Sequence, residues 1–436
     1  MSLFQDVTID NYGDIITCKM HDLIHDLAQL VVGKEYAIVE GKKGNIGNRT
    51  RYLSSRTMLH FAETPSSSHK LRTFIMIGQQ LYRSKNLDQI HFHFLLSLKC
   101  LRVLTLCGLD IVTMPKSVRE LKHLRYLDLS RNHFLVNLPP DVSSLHNLQT
   151  LKLSECFKLK ALPSNINKSL RHLEFNDCGE LTCMPSGLGQ STNLQTLTYF
   201  LLDYKSRGGD ISELAGLNSL RGKLEIKWLD YLREDAAVVE SAKVLIEKKH
   251  LQELELRWRH DGQDIRGSPL RFQEPVRESI FLREYPIARG QLNEHEEDRG
   301  LKDEKILQGL QPHHSIKGLV IDGYCGKSLP DWIGKLSSLL SLEIRNCNGL
   351  ESLPEGIRNL MSLQQLCIYN CSLLEIRCAR INGKDWLKIG HIPKVLVSPF
   401  TPSALRNREH LTFGFRNHGI QFEIDEERKK SYKRER

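Results

Sequence analysis

No apolar run in this chain approaches the roughly 18 residues a membrane-spanning helix needs. The most apolar stretch near the start, Leu23–Val32, is broken by His25, Asp26 and Gln29. The opening residues, MSLFQDVTIDNYGD, are acidic and polar and lack the basic-then-apolar pattern of a secretory leader. There is no C-x-x-C pair among the eleven cysteines; Cys178/Cys183 and Cys367/Cys371 come closest, without the further His or Cys that zinc requires. No complete phosphate-binding loop occurs. Gly326-Lys327-Ser328 ends like one, but Ile321 stands where the first glycine belongs. His21-Asp22-Leu-Ile-His25 has the i, i+4 histidines of a zinc helix, yet Asp22 replaces the longer glutamate base and no third ligand follows. His91/His93 and His313/His314 read as ordinary loop or strand histidines, and no nucleophile–base set can be argued from sequence order. The net charge of +9 over 436 residues is low for a nucleic-acid domain, which usually concentrates more on one face. Metal catalysis, nucleotide binding at 326–328, a membrane span and a disulfide framework are therefore set aside.

What the chain has is a repeat. Leu101-R-V-Leu104-T-Leu106, Leu124-R-Y-Leu127-D-Leu129, Leu148-Q-T-Leu151-K-Leu153, Leu170-R-H-Leu173-E-Phe175 and Leu194-Q-T-Leu197 start 23, 24, 22 and 24 residues apart. Leu251-Q-E-Leu254-E-Leu256, Ile316-K-G-Leu319-V-Ile321, Leu339-L-S-Leu342-E-Ile344 and Leu363-Q-Q-Leu366-C-Ile368 continue it, and Leu71-R-T-Phe74-I-Met76 is a weaker copy at the front. L-x-x-L-x-L at this period is the signature of a leucine-rich repeat. Each copy is a short strand, a turn and a return arm. Positions 1, 4 and 6 point inward, and only stacking of neighbours buries them. Pro115, Pro139, Pro163, Pro185, Pro330 and Pro354 fall 14 or 15 residues after a repeat start, on the return arm, where no ladder donor is needed. Val118/Leu121 and Ile357/Leu360 then fill the convex side. Position 9 is Asn132, Cys156, Cys178, Cys347 or Cys371. A small side chain is wanted at that bend, so these cysteines are packed thiols, and unpaired thiols imply a reducing compartment.

The expected fold is α/β: a curved leucine-rich-repeat solenoid with parallel strands on its concave face and a short helical, winged-helix-like piece at the N-terminus. The expected organisation is that piece at 1–36, a linker at 37–70 with a short strand at Arg51-Tyr-Leu, the solenoid at 71–393 and a basic, disordered tail at 394–436. Within the solenoid, 234–249 has helical spacing, and 259–305, charged and without the repeat, reads as a mobile insertion. The helix at 22–32 should turn Leu23, Leu27, Leu30 and Val31 toward a core.

Cys18-Lys-Met20-His21-Asp22-Leu-Ile-His-Asp-Leu-Ala28 closely resembles the Met-His-Asp motif of plant intracellular nucleotide-binding, leucine-rich-repeat immune receptors of the coiled-coil type. Leu220-Arg-Gly-Lys-Leu-Glu-Ile226, His250-Leu-Gln-Glu-Leu-Glu-Leu-Arg-Trp258 and Trp386-Leu-Lys-Ile-Gly-His-Ile-Pro393 add to it, so the resemblance covers about residues 1–393. It implies a cytoplasmic, non-catalytic recognition region in plant defence. In that family the motif histidine is thought to contact the phosphates of ADP. His21 and Asp22 hold the matching positions, but the phosphate loop and the rest of the nucleotide module are missing from this sequence, so no ADP or ATP is expected on this chain and the chain reads as a truncated receptor, a partial gene model or a pseudogene product. The alternative is a part of an ADP/ATP switch completed by residues the chain lacks. A third reading, a secreted ectodomain, has only the Asn48, Asn167 and Asn370 glycosylation triplets in its favour.

In the repeat geometry, residues beside the buried leucines face outward. These are Arg125, Tyr126, Asp128 and Arg131; Lys152 and Glu155; His172, Glu174 and Asp177; Glu255, Arg257 and Trp258; Glu343 and Arg345; and Tyr369. Mixed charge with aromatics is what a protein interface uses. The expected partner is a protein: a pathogen effector, a guarded host protein or a receptor's own nucleotide-binding module. Nucleic acid and membrane are not expected.

Overall fold

The computed structural model describes residues 3–9, 15–39, 47–55, 70–77, 98–166, 168–202, 210–232, 244–258, 294–380 and 382–398. At the N-terminus β1 (Phe4–Ile9) and β2 (Ile15–Met20) form an antiparallel hairpin, followed at once by α1 (Asp22–Val32). His21 starts that helix. Its Nδ1 accepts the Leu23 amide at 3.2 Å, and its carbonyl accepts the amides of Ile24 and His25. The helix is amphipathic as expected, but its apolar side is not buried: Leu30 is 80% and Val31 77% exposed, and Leu23 and Leu27 are exposed too. A single hairpin offers too little apolar surface to cover such a face.

Residues 32–400 form a second compact unit. It opens with β3 (Tyr36–Val39), β4 (Tyr52–Ser55) and β5 (Thr73–Ile77), and continues through β6 (Val103–Cys107), β7 (Tyr126–Asp128), β8 (Thr150–Lys152), β9 (His172–Glu174) and β10 (Thr196–Leu197). These eight strands pair in sequence order, every pair parallel. A second parallel sheet holds β11 (Tyr199–Leu201), β12 (Gly222–Lys227), β13 (Leu251–Arg257), β14 (Gly318–Asp322), β15 (Ser341–Arg345), β16 (Gln365–Tyr369) and β17 (Lys394–Ser398), again in sequence order. The ladder changes sheets at Thr198, whose Oγ1 accepts the Phe175 amide at 3.0 Å. Parallel order with one strand per repeat is what a coil winding in one direction produces.

The strand expected at 51–53 is present, but the region taken as a linker is already two coils of the ladder, and β3 straddles its first boundary. β17 likewise lies beyond Pro393. Helix α2 (Glu294–Gly309) takes up the end of the expected insertion, with Ile306, Leu307 and Leu310 buried. Residues 259–293, most of the helix read over 234–249 and the tail after Ser398 lie outside the described residues, as do His91, His93 and Asn167. Two short helices, α3 (Ser372–Arg377) and α4 (Trp386–Ile389), precede the last strand.

One continuous apolar cluster runs from Val39 to Ile392. It contains Leu104, Leu127, Leu151 and Leu342, each at most 2% exposed. The prolines begin the return arms: Pro115, Pro139, Pro330 and Pro354 sit in extended backbone immediately before one-turn 3-10 helices. Each helix buries one aliphatic residue beside the next leucine, as Val118 does with Leu121 and Ile357 with Leu360. Position 9 is the polar counterpart of this packing. Asn132 donates to the carbonyls of Leu106 (2.8 Å) and Leu129 (2.6 Å) and accepts the amides of Leu109 (3.2 Å) and Ile111 (3.0 Å). Cys156 and Cys178 put Sγ 3.3 Å from the carbonyl of the preceding coil. All four position-9 cysteines are buried and free. Burial pushes the Cys178 thiol up to about 12, so it packs as a neutral group.

Candidate protein-binding surface

Outward-facing residues are set by two backbone rules. Alternation along each strand turns the residues between the buried leucines away from the core. Position 8 then takes left-handed backbone at Gly108, Arg131, Glu155, Asp177, Trp228, Gly323, Asn346 and Asn370, which ends the strand and starts the turn. Registered pairing places equivalent residues of neighbouring coils side by side.

In the first sheet this gives a row Tyr126, Thr150, His172, Thr196. Arg125, Arg131 and Asp177 are exposed, while Tyr126, Lys152, Glu155, His172 and Glu174 are half-buried. Neighbouring coils pair their charges: Lys152 with Glu174 at 2.9 Å and Arg131 with Glu155 at 3.2 Å. His172 Nδ1 lies 3.1 Å from Thr196 Oγ1, and burial lowers its pKa, so the imidazole is neutral at neutral pH. Asp128, expected on the face, is buried and accepts the Ser130 amide at 2.9 Å, which makes it part of the turn.

The second sheet carries two rows of opposite charge. Glu225, Glu255, Val320 and Glu343 occupy one, and Lys227, Arg257, Asp322 and Arg345 the next. Glu255 lies among Lys223 (2.6 Å), Arg257 (2.6 Å) and Arg345 (3.6 Å), and is 2% exposed. Burial alone would raise its pKa; the three cations outweigh this and take it to about 2. Arg257 also reaches Glu225 at 2.9 Å, and Arg345 holds Glu343 through two 2.7 Å bonds. Four acids and four bases here cancel one another. Glu255 is therefore corrected from a partner contact to the centre of an internal network. Trp258 is corrected as well. It is 4% exposed, although its amide donates to the Asp322 carbonyl at 2.9 Å just as Gly108, Arg131 and Gly323 donate to the next coil at the same position. The indole packs edge-on against Tyr324, ring centroids 5.3 Å apart. Its N–H faces the Asp303 carboxylate of α2 without closing a hydrogen bond. Arg257, Glu343, Arg345 and Tyr369 remain on the surface, half-buried or at the edge of that network.

The triplet Gly326-Lys327-Ser328 has its donors occupied from within. Glu304 Oε1 accepts the amides of Lys327 (2.9 Å) and Ser328 (3.1 Å) and the Ser328 hydroxyl (3.3 Å), and Asp303 accepts the Cys325 amide at 3.1 Å. Those two carboxylates fasten α2 to the turn after β14. Sequence reasoning missed both, since the leucine period is absent from 294–310. It also missed Trp228, half-buried at position 8 beside Tyr231, although an aromatic there is out of pattern. Around His21 and Asp22 the described residues form no buried polar cradle, and no three His, Cys, Asp or Glu side chains among them could hold a metal.

Coils of 22 to 24 residues, one parallel strand per coil, a leucine core and an Asn/Cys position at the bend define a leucine-rich-repeat protein. Family models agree: a leucine-rich repeat region matches residues 81–286, and the R13L1/DRL21 leucine-rich repeats match 211–371. The chain is 34% identical to putative disease resistance RPP13-like protein 1 of Arabidopsis thaliana, over 75% of this chain and 29% of that protein. It is 32% identical to putative disease resistance protein RGA1 of Solanum bulbocastanum, over 79% and 29%. Disease resistance RPP13-like protein 4 of Arabidopsis thaliana is 28% identical over 77% of this chain and 35% of its own length. The chain belongs with the plant disease resistance proteins of the RPP13-like and RGA kind. It spans about a third of the length of these relatives. No helix among the described residues is long and apolar enough to cross a membrane.

Proposed function

We propose that the chain is the recognition and regulatory leucine-rich-repeat region of a plant immune receptor, non-catalytic and cytoplasmic, which binds a protein through the outward rows of β6–β9. The partner is a pathogen effector, a guarded host protein or the receptor's own nucleotide-binding module. The observation that carries this is the contrast between the two sheets. In the second, outward charges are consumed by one another around Glu255. In the first, Tyr126 and His172 stand in one registered row two coils apart, with Arg125 next to Tyr126 on its coil, and part of their surface is uncovered. Aromatic and arginine side chains on a rigid scaffold are the groups that anchor protein interfaces. The test is to express the nucleotide-binding module of RPP13-like protein 1 separately and titrate it into this chain by calorimetry, together with a panel of effectors. Binding to at least one of them supports the reading; heat indistinguishable from dilution for all of them refutes it.

A second reading, part of an ADP/ATP switch, has one observation in its favour. His21 Nδ1 is taken by the Leu23 amide, so the neutral imidazole carries its proton on Nε2, the nitrogen available to donate to an anion. The remaining donors of such a site would come from residues this sequence does not contain. Nucleotide titration into this chain is expected to show no binding; saturable ADP binding by the chain alone would contradict that.

A further inference from the structure

Position 2 of the repeats forms a column of its own. The amide of each position-2 residue donates to the carbonyl of the one before: Arg72 to Arg51, Arg102 to Arg72, Arg125 to Arg102, Gln149 to Arg125, Arg171 to Gln149, Gln195 to Arg171 and Arg221 to Gln195, all at 2.7–2.8 Å. The column is thus an unbroken backbone ladder at the entry edge of the strands, with arginine at six of its eight steps. The residues just upstream strengthen the charge. The segments read Lys99-Cys-Leu-Arg102, Lys122-His-Leu-Arg125, His146-Asn-Leu-Gln149, Lys168-Ser-Leu-Arg171, Thr192-Asn-Leu-Gln195 and Asn218-Ser-Leu-Arg221, and none contains an acid. Arg102, Arg125, Arg171 and Arg221 are exposed, as are Lys99, Lys122 and Lys168.

What sets this column apart is that its charges are unspent. Arg51 pairs with Glu35 at 3.4 Å. Arg72, Arg102, Arg125, Arg171 and Arg221 have no ion pair or side-chain hydrogen bond among the described residues. Elsewhere on the solenoid neighbouring coils pair their charges, as with Lys152–Glu174, Arg131–Glu155 and the Glu255 network. Like charges stacked along the column repel one another, and in a stable fold such a stripe is balanced by solvent ions or by a partner.

We infer that this arginine column is a docking edge for an acidic α-helix of a partner protein, lying along the solenoid with about one carboxylate facing each coil. The inference rests on the protein-binding reading above and extends it along the entry edge of the strands, the two surfaces sharing Arg125. The match is one of spacing and chemistry. Neighbouring strands are about 4.8 Å apart. A helix rises about 1.5 Å per residue, so seven residues span about 10.5 Å against about 9.6 Å for two strand steps; Glu or Asp spaced alternately three and four residues apart therefore stays on one face and follows the column coil by coil. The long arginine stems absorb the small mismatch. The planar guanidinium fork fits a carboxylate through two parallel bonds. A nucleic-acid strand fits less well, because the segments hold no run of aromatics on which bases would stack.

The experiment titrates the full chain with a fluorescent alanine-rich peptide carrying Glu alternately three and four residues apart, in a stripe on one helix face. A peptide of identical composition with the acids spread around the helix, and a single-stranded oligonucleotide, serve as comparisons. The stripe peptide should bind, and more weakly as salt rises. Arg102→Gln/Arg125→Gln/Arg171→Gln removes three exposed, unpaired charges; it should fold like the parent by circular dichroism and bind roughly tenfold more weakly. Tyr126→Ala/His172→Ala should leave peptide binding unchanged. Equal affinity for the two peptides, unaltered binding by the arginine variant, or tighter binding of the oligonucleotide would each overturn the inference. Loss of effector and module binding with the peptide result intact would instead strike the row reading alone.

Discussion

Glu255 is the most severe test of the electrostatics. Its carboxylate titrates near 2 in the fold, against the ordinary 4.5. A depressed pKa means the folded state favours the anion, so the contribution is complete above pH 4.5 and disappears as pH falls toward 2. Holding the carboxyl down from 4.5 to about 2 corresponds to roughly 3 kcal/mol at neutral pH. Replacing it, Glu255→Gln, keeps the shape and removes the charge. Arg257 retains Glu225 and Arg345 retains Glu343, so the cations are not all stranded. The expected loss is therefore at the low end of the 3–5 kcal/mol typical for breaking a buried pair, about 3 kcal/mol. Glu255→Gln/Lys223→Met should recover part of it. Urea unfolding followed by tryptophan fluorescence reads the effect, since Trp258 closes the same strand. Repeat chains can unfold in stages, so the first transition is the one to compare. The reasoning fails if Glu255→Gln shifts stability by less than about 0.5 kcal/mol at pH 7, or if parent and variant differ as much at pH 2 as at pH 7.

Three further outcomes follow from buried polar groups. Lys248 is fully buried, donating to the carbonyls of Leu214 (2.6 Å) and Leu217 (3.2 Å), and burial lowers its pKa to about 8. Its charge is therefore a burden at and below pH 8 that lifts as pH rises toward 10.5; relative to Lys248→Met, the parent should gain stability between pH 8 and 10, and a pH-independent difference would contradict this. Asn132→Ala leaves the Leu109 and Ile111 amides without an acceptor and should cost about 2–5 kcal/mol in urea, whereas Asn132→Cys should cost less, because the neighbouring coils carry cysteine at that bend. Asp303 is raised to about 6, mainly by burial; stability should then increase as pH drops from 7 toward 4, a trend that Asp303→Asn should flatten.

The leucine spacing made the core readable residue by residue, because a side chain at position 4 of a parallel coil has nowhere to go but inward. The Asn/Cys position was equally legible, since its burial follows from backbone geometry at the bend. Two kinds of feature were hidden. The first coils, with Tyr36-Ala-Ile-Val39 and Tyr52-Leu53-Ser-Ser55 in place of the leucine pattern, join the ladder through backbone pairing that tolerates many side chains. The outward set was misjudged wherever alternation alone was applied. Glu255 does face away from the core, yet three cations from three strands enclose it. Trp258 closes its strand with the same inter-coil bond as the other coils, yet its indole packs against Tyr324 and faces Asp303 of α2. The Met-His-Asp helix failed in the opposite sense: its periodicity was right, and its apolar face is nonetheless uncovered.

The central claim is that registered outward rows of the first sheet recognise a protein. Calorimetric titration of one partner against two matched variants tests it most directly: Tyr126→Ala/His172→Ala on the row, and Val112→Ala/Phe134→Ala, exposed residues of the turns beside it. The account predicts at least a tenfold loss of affinity for the row variant and parent-like binding for the turn variant. Parent-like binding by the row variant, with loss confined to the turns, would contradict it.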